Sequence, residues 1–229
     1  MKSIFALLAL GTLAIAGEKQ IFNGKDLSGW EGNPKLWSVK DGAITGATGN
    51  EGETKLKHNT FLVWKDGKVG DFELTFQYRI VGGNSGVQYR SKEQAPGENG
   101  PIVGGYQADF EAGKTYSGIL YEERGRGILA NRGQKTKIVT DADGKKHKVE
   151  VSGSVGDSNA IQAGIKNEDW NEYRIVAKGN HLQHFINGKQ TVDVTDEHAG
   201  AAKEGILALQ IHAGPAMTVQ FKDLLLKTE

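Results

Sequence analysis

Six hydrogen-bonding side chains, paired in three short segments, carry most of the chemistry this sequence offers. In Gly86-Val87-Gln88-Tyr89-Arg90, Gln88 and Arg90 alternate with the apolar Val87 and Tyr89. In Tyr106-Gln107-Ala108-Asp109-Phe110, Gln107 and Asp109 alternate with Tyr106, Ala108 and Phe110, and further on Gln210 and His212 alternate with Leu209 and Ile211. Successive side chains of an extended strand point to opposite faces, so each segment sets an adjacent polar pair on the face away from the core. Gln, Arg, Asp and His have fixed donor and acceptor geometry suited to sugar hydroxyls. The plain alternative is an ordinary solvated sheet face. His212, next to Gln210, is the imidazole placed to transfer a proton or bind a hydroxyl.

Local motifs add little. Asp141-Ala142-Asp143-Gly144 opens like a calcium loop but lacks the remaining oxygen ligands, and reads as a hairpin tip. Gly125-Arg126-Gly127 has no third Gly and no following helix. Neither Gly-x-Ser-x-Gly nor His-Glu-x-x-His occurs. The chain has no Cys, which excludes disulfides, Cys-ligated zinc and a thiol nucleophile. No compact ligand cluster stands out, so no cofactor is expected, and metal assistance is left to a chelator test. His184 shares parity with Leu182 and Ile186 and reads as a hydrogen-bonded core residue, while His58, His147, His181 and His198 fall in or beside turns and charged segments. Trp30, Trp37, Trp64 and Trp170 are candidate stacking platforms for sugar rings, although Trp37 and Trp64 sit in apolar runs that suit the core better.

The elements that must hold these residues are strands. Phe72, Leu74, Phe76, Tyr78 and Ile80 alternate with polar residues, and similar runs recur along the chain, separated by turn dipeptides such as Asp41-Gly42, Asp66-Gly67 and Asn187-Gly188. About a dozen strands with short turns predict two packed antiparallel sheets or a barrel. Short helical turns are expected at most over residues 157–166 and 196–203. The 32 glycines of 229 residues are scattered, as turns require, rather than periodic.

With 28 basic and 28 acidic residues the formal charge is 28 − 28 = 0, which leaves no electrostatic footprint for nucleic acid or an anionic membrane. Residues 1–16 read as a signal peptide: one Lys, then an apolar run closing on Ala14-Ile15-Ala16. The mature chain, from Gly17, is expected to be exported to the periplasm or beyond, with no membrane span. Residues 17–229 are expected to form a single domain, with residues 122–166 as a hairpin and loop elaboration. Oligomeric state is left open.

Ile21-Phe22-Asn23-Gly24-Lys25-Asp26-Leu27-Ser28-Gly29-Trp30 begins an ordered set of blocks. It continues through Trp37-Ser38-Val39-Lys40-Asp41-Gly42, Gly83-Asn84-Ser85-Gly86-Val87-Gln88-Tyr89-Arg90, Gly104-Gly105-Tyr106-Gln107-Ala108-Asp109 and Ser117-Gly118-Ile119-Leu120-Tyr121, and closes with Gly205-Ile206-Leu207-Ala208-Leu209-Gln210-Ile211-His212. Together they resemble the bacterial 3-keto-disaccharide hydrolase domain family. The resemblance implies an all-β, concanavalin A-like jelly-roll sandwich of two curved antiparallel sheets, with a carbohydrate ligand on the concave face. Its recurring polar positions match Asn84, Ser85, Arg90, Gln107, Asp109, Tyr121, Gln210 and His212. Where many members carry Glu and then Gln, Gln107 and Asp109 stand here.

The activity so implied is cleavage of 3-keto-disaccharides or 3-keto-glycosides. A C3 ketone acidifies the C2 proton, so a base can remove it, the C1 oxygen leaves by elimination, and water then adds. In this reading His212 or Asp109 is the base or acid, Tyr121 protonates or orients the leaving group, and Arg90 with Gln88, Gln107 and Gln210 steadies the enolate-like oxygen and the sugar hydroxyls, beside Asn84 and Ser85. A noncatalytic carbohydrate-binding module needs the same polar face. An ordinary glycosidase would need a carboxylate pair, for which Asp109 with Glu122 or Glu123 is the obvious choice.

Overall fold

The computed structural model describes residues 17–144 and 146–228; the expected signal peptide lies outside them. Two sheets pack face to face. In order across the first, ten-stranded sheet lie β12 (His147–Ser154), β11 (Gln134–Thr140), β15 (Lys189–Asp196), β14 (His181–Ile186), β13 (Asn171–Lys178), β6 (Phe72–Val81), β17 (Thr218–Thr228), β4 (Ala43–Ala47) and β3 (Trp37–Lys40), with β1 (Gly17–Gln20) also paired to β17. The second, seven-stranded sheet runs β10 (Gly127–Ala130), β9 (Leu120–Glu123), β8 (Gly100–Glu111), β7 (Asn84–Gly97), β16 (Ile206–Ile211), β5 (Thr60–Trp64) and β2 (Trp30–Glu31). This is the jelly-roll sandwich expected from the sequence. All pairs are antiparallel except β11 with β15, which run parallel.

The alternating residues supply the core. Phe72, Leu74, Phe76, Tyr78 and Ile80 of β6 are all buried. They meet inward residues of the other sheet, with the ring centroids of Tyr78 and Phe110 4.0 Å apart; within their own sheet, Phe76 stacks on Tyr173 at 5.4 Å. Each such side chain, fully buried, contributes about 2–3 kcal/mol. Asn187-Gly188 turns β14 into β15 with positive φ at both residues (49° and 76°), the mirror-image turn whose twist matches its strands.

Three local features go beyond the sequence reading. Residues 122–166 are built into both sheets, as β10 in one and the β11–β12 hairpin in the other, followed by the short helix α1 (Ser158–Gln162). That helix is capped where a helical turn was expected, the Asp157 carboxylate accepting from the Ala160 amide at 2.8 Å. Residues 197–203 form no helix; the His198 ring instead takes the Gly200 amide in a tight turn.

The third difference reshapes the site. Within β7, Arg90 has φ 47°, and pairing with β8 shifts register between Tyr89 and Lys92. Such a bulge re-aims the residue it contains. Gly205 packs against it so closely that a Cβ there would come within 2.4 Å of the Arg90 carbonyl carbon.

Candidate active site

The outer face of the seven-stranded sheet carries the site, because β7, β8, β9 and β16 send their polar parity there. The register fixes who meets whom: Gln107 lies opposite Gln88 on one side and Tyr121 on the other, while Asp109 lies opposite Gly86. A Cβ at Gly86 would meet the Gln107 side chain at 2.7 Å, so only glycine leaves room for that amide to cross toward Gln210. Above this floor opens a cavity of about 670 Å³, within the size range of small-molecule sites.

Three buried amides make the floor. Ser91 Oγ donates to Gln88 Oε1 (2.8 Å), and Gln88 Nε2 donates to Gln107 Oε1 (2.7 Å). Gln210 Nε2 also donates to Gln107 Oε1 (2.9 Å), and Gln107 Nε2 turns to Asp109 Oδ1 (3.4 Å) and Gln210 Oε1 (3.3 Å). A further contact runs from Gln210 Nε2 to Glu123 Oε2 (3.4 Å). Ser91 and Gln88 thus donate toward Gln107, Gln107 and Gln210 exchange bonds with each other, and each of that pair also donates to a carboxyl group that lines the cavity. Satisfied buried polar networks of this kind are stiff.

Asp109 is 6% exposed. Burial is the main reason its carboxyl is pushed up to about 8, and the nearby charges of Glu111 and Glu123 push in the same direction; hydrogen bonds from Asn84 and Gln107 pull the other way but do not offset them. Near neutrality it is therefore largely a protonated acid and a hydrogen-bond donor. Burial also raises Glu123, while the charge of His212 and the amides of Asn59 and Gln210 oppose the shift. Tyr121 is raised by burial and by Glu123 and Asp109, so it keeps its proton. His212 Nδ1 lies 2.5 Å from the Ala213 carbonyl. A carbonyl only accepts, so Nδ1 carries a hydrogen, and in the neutral ring the lone pair is on Nε2. Asn59 braces this corner, its Oδ1 taking the Ala213 amide (2.9 Å) and its Nδ2 facing Glu123 (3.4 Å).

Of the nine residues expected from the sequence, Asn84, Gln107, Asp109, Tyr121 and His212 line this cavity together. Gln88 and Gln210 are fully buried behind them as members of the amide floor. Ser85 falls on the inner parity, where its Oγ ties β7 to β16 through the Gln210 carbonyl (2.6 Å). Arg90 stands apart. The bulge turns it to the edge of the sandwich, where it is 1% exposed and donates to the carbonyls of Gly70 (2.8 Å) and Gly179 (2.6 Å) and to Asp71 (2.9 Å). Strict alternation through a bulged strand put it on the wrong side. Its place in the structure is that of a strut between loops rather than a wall of the cavity.

Glu111, Tyr116, Ile128, Asn59 and the loop after His212 also line the cavity. Extending the alternation two residues beyond Tyr121 finds Glu123 on the outer face. Glu122, on the inner parity, is held instead by Arg126 (2.7 Å), which also grips Asp196 (2.7 Å). Of the two carboxylates that could pair with Asp109, only Glu123 lines the cavity. Tyr116 is 45% exposed and sits in a loop whose amides, with that of Thr115, bind the Glu111 carboxylate; no strand pattern points to it. Among the described residues, no three His, Asp or Glu side chains come together in a way that could hold a metal ion.

The sequence profile of the 3-keto-alpha-glucoside-1,2-lyase-like domain matches residues 17–227, nearly the whole described chain. The chain belongs to that family. Among curated proteins none is significantly similar in sequence. Solved structures of similar fold include a putative glycosyl hydrolase from Parabacteroides distasonis, 20% identical with a TM-score of 0.57 over 93% of this chain and 94% of that one. A carbohydrate-binding module from Bacillus subtilis, of the type CBM66, is 13% identical with a TM-score of 0.53 over 87% and 96%. The laminarinase of Rhodothermus marinus is 8% identical with a TM-score of 0.52 over 93% and 96%. At these identities the likeness is one of fold, and what distinguishes this lyase-like domain is the side-chain set in its own cavity.

Proposed function

We propose that this protein cleaves 3-keto-glycosides, 3-keto-disaccharides among them, by elimination followed by hydration. The observation that carries the reading is Asp109, a carboxyl kept protonated by burial at the floor of an open cavity that His212, Glu123 and Tyr121 also line. Such a group can donate to an oxygen that becomes negative, as an ionised carboxylate cannot. Family membership supplies the substrate class, and the sugar-directed structural relatives are consistent with it.

In the proposed sequence the C3 carbonyl oxygen of the sugar accepts a hydrogen bond from Asp109. His212 Nε2 takes the C2 proton, and the electron pair of that C–H bond moves into the enolate. The pair then forms the C1–C2 double bond while the C1–O bond breaks, and the departing oxygen takes a proton from Tyr121. Water adds to the product, its hydroxyl to C1 and its proton to C2. Glu123 stabilises the imidazolium as it forms. Tyr116 and Ile128 at the rim offer apolar faces for sugar rings.

The test is incubation with a 3-keto-disaccharide and its unoxidised parent in deuterated water, followed by NMR. Cleavage of the ketone alone, with deuterium appearing at C2, is the expected result. Cleavage of the unoxidised sugar would point to ordinary glycoside hydrolysis, and saturable binding of either sugar without turnover would make the protein a binding module. Both would overturn the proposal.

We further propose export, with cleavage after Ala16. In support of this, one Lys and then an apolar run close on Ala14-Ile15-Ala16, the small-residue pattern of a cleavage site. N-terminal sequencing of the exported protein should begin at Gly17; a retained leader would refute this.

A further inference from the structure

We propose, on the basis of the reaction set out above and dependent on it, that the preferred substrates carry a neutral, apolar leaving group, an aromatic alcohol above all. Ile128 and Tyr116 receive that group at the β10 edge of the cavity.

The strand order gives the direction. His212 follows β16, Asp109 lies in β8 and Tyr121 in β9, and β10 is the last strand on that side of the sheet. A sugar whose C2 proton faces His212 and whose C1 oxygen faces Tyr121 therefore points whatever that oxygen carries across β9 toward β10. Ile128 is the residue paired with Tyr121 there. Directly opposed residues of antiparallel strands share a face, with Cβ atoms about 4.5–5.5 Å apart, so the side chain next to the acid is an isoleucine. It is 39% exposed, and it is the residue that β10 contributes to the lining of the cavity.

The rim is apolar where function can use it. Among the described residues the exposed large apolar side chains are Val81, Tyr116, Ile128 and Val151, and two of these four line this one cavity. Singly scattered, such residues are ordinary; gathered at one concavity they mark a binding surface. Tyr116 is 45% exposed although the loop that carries it is tightly held. The Glu111 carboxylate takes the Thr115 and Tyr116 amides (2.5 and 2.9 Å). The buried Arg132 donates to the carbonyls of Lys114 (2.8 Å), Thr115 (3.3 Å) and Ser117 (2.7 Å). A ring presented on a fixed backbone loses little further freedom when it stacks on a ligand.

Charge and polarity narrow the class. Asp109, Glu111, Glu123 and His212 line the cavity, and no Lys or Arg among the described residues does. An anionic leaving group would meet carboxylates with no cation in the lining to offset them. The amides suited to sugar hydroxyls, Asn59, Asn84 and Gln107, all lie on the β8 to β5 side of Tyr121, away from Ile128. The keto sugar takes that polar half, and the apolar half is left to its leaving group.

The experiment compares the 3-keto-glucosides of ethanol, 2-phenylethanol and 2-(4-carboxyphenyl)ethanol, alcohols of closely similar acidity, so that rate differences report binding rather than leaving-group chemistry. The expected kcat/KM for the phenylethyl compound is at least about tenfold above that of the ethyl one, with the gain in KM, and the carboxylate should lose that gain. In the double variant Tyr116→Ser, Ile128→Thr the phenylethyl-to-ethyl ratio should fall to within about twofold of one. Val151→Thr, which changes an exposed apolar residue outside the cavity, should keep the wild-type ratio. Equal kcat/KM for the ethyl and phenylethyl compounds, a preference for the carboxylate, or a phenylethyl advantage that survives the double substitution would overturn the assignment of the leaving group and leave the reaction standing. Cleavage of none of the three ketones would overturn the reaction and the leaving-group assignment with it.

Discussion

Replacing Asp109 with Asn isolates the energetics that the proposed reaction depends on. The carboxyl moves from its ordinary 3.8 to about 8 in the folded protein. Between those values the native state holds a proton that the unfolded chain has released, so stability falls as pH rises through the window and levels off above the folded value. The shift of about 4 units, at about 1.36 kcal/mol each, sets a ceiling of roughly 5–6 kcal/mol. Relaxation and entry of water from the open cavity reduce this, by about half at the effective dielectric of real protein sites. Asn keeps the oxygen that accepts from Gln107 and carries no charge at any pH. From pH 5 to pH 9 only about 3 of those units are crossed, so the variant should gain about 2 kcal/mol relative to wild type, or roughly 4–8 °C in melting temperature for a chain of this size. Thermal unfolding of both proteins at the two pH values measures it, and groups shared by both cancel in the difference. A gap that stays constant with pH, or that moves against the variant, would refute the assignment of a buried, protonated Asp109.

Arg90→Met should cost about 3 kcal/mol or more in chemical denaturation by stranding the Gly70 and Gly179 carbonyls, while the folded fraction binds saccharide with wild-type affinity. Glu123→Gln removes a charge that raises Asp109, so the limb of the pH–rate profile belonging to Asp109 should move to lower pH; a shift upward or none would contradict the coupling. His212→Gln should lower kcat on a 3-keto-glucoside by at least about a hundredfold with little change in melting temperature, because the ring is exposed and its loss removes a base rather than a packing group. His184 is buried between Tyr89 and Tyr173, and burial lowers its pKa from 6.5 to about 3. The unfolded chain takes up that proton first as pH falls, so stability is lost from about pH 6.5 down toward 3, and urea melts of His184→Gln should show a shallower acid limb.

What the sequence made legible follows from strict alternation. The inward residues of β6, the polar parity of β8 and the placement of His184 in the core all follow from a period of two in unbroken strands. Asp109, Gln107 and His212 meet at one cavity for the same reason, while Tyr121 is indicated by the family resemblance. The period breaks at Arg90, where positive φ in a non-glycine residue leaves no composition signal. It also says nothing of depth: Gln88 and Gln210 have the right parity but lie beneath their neighbours. Glu123 shares the parity of Tyr121, but without the extent of β9 the sequence leaves it level with Glu122 as a partner for Asp109. Tyr116, Asn59 and Glu111 reach the cavity through loops and side-chain bonds to the backbone, relations among segments distant in the chain that no local pattern encodes. The division of residues 122–166 between two sheets could not be read from the sequence, since the parallel pairing of β11 with β15 depends on where β15 lies in space.

The bonds that join Ser91 and Gln88 to the reciprocally paired Gln107 and Gln210 mean that the three glutamines share a single choice of orientation. Turning any one of them over would set oxygen against oxygen at its next neighbour, so an inherited change at position 88, 107 or 210 must be matched at the other two or it will be lost. Homologous chains should keep or exchange this trio together, as one heritable unit.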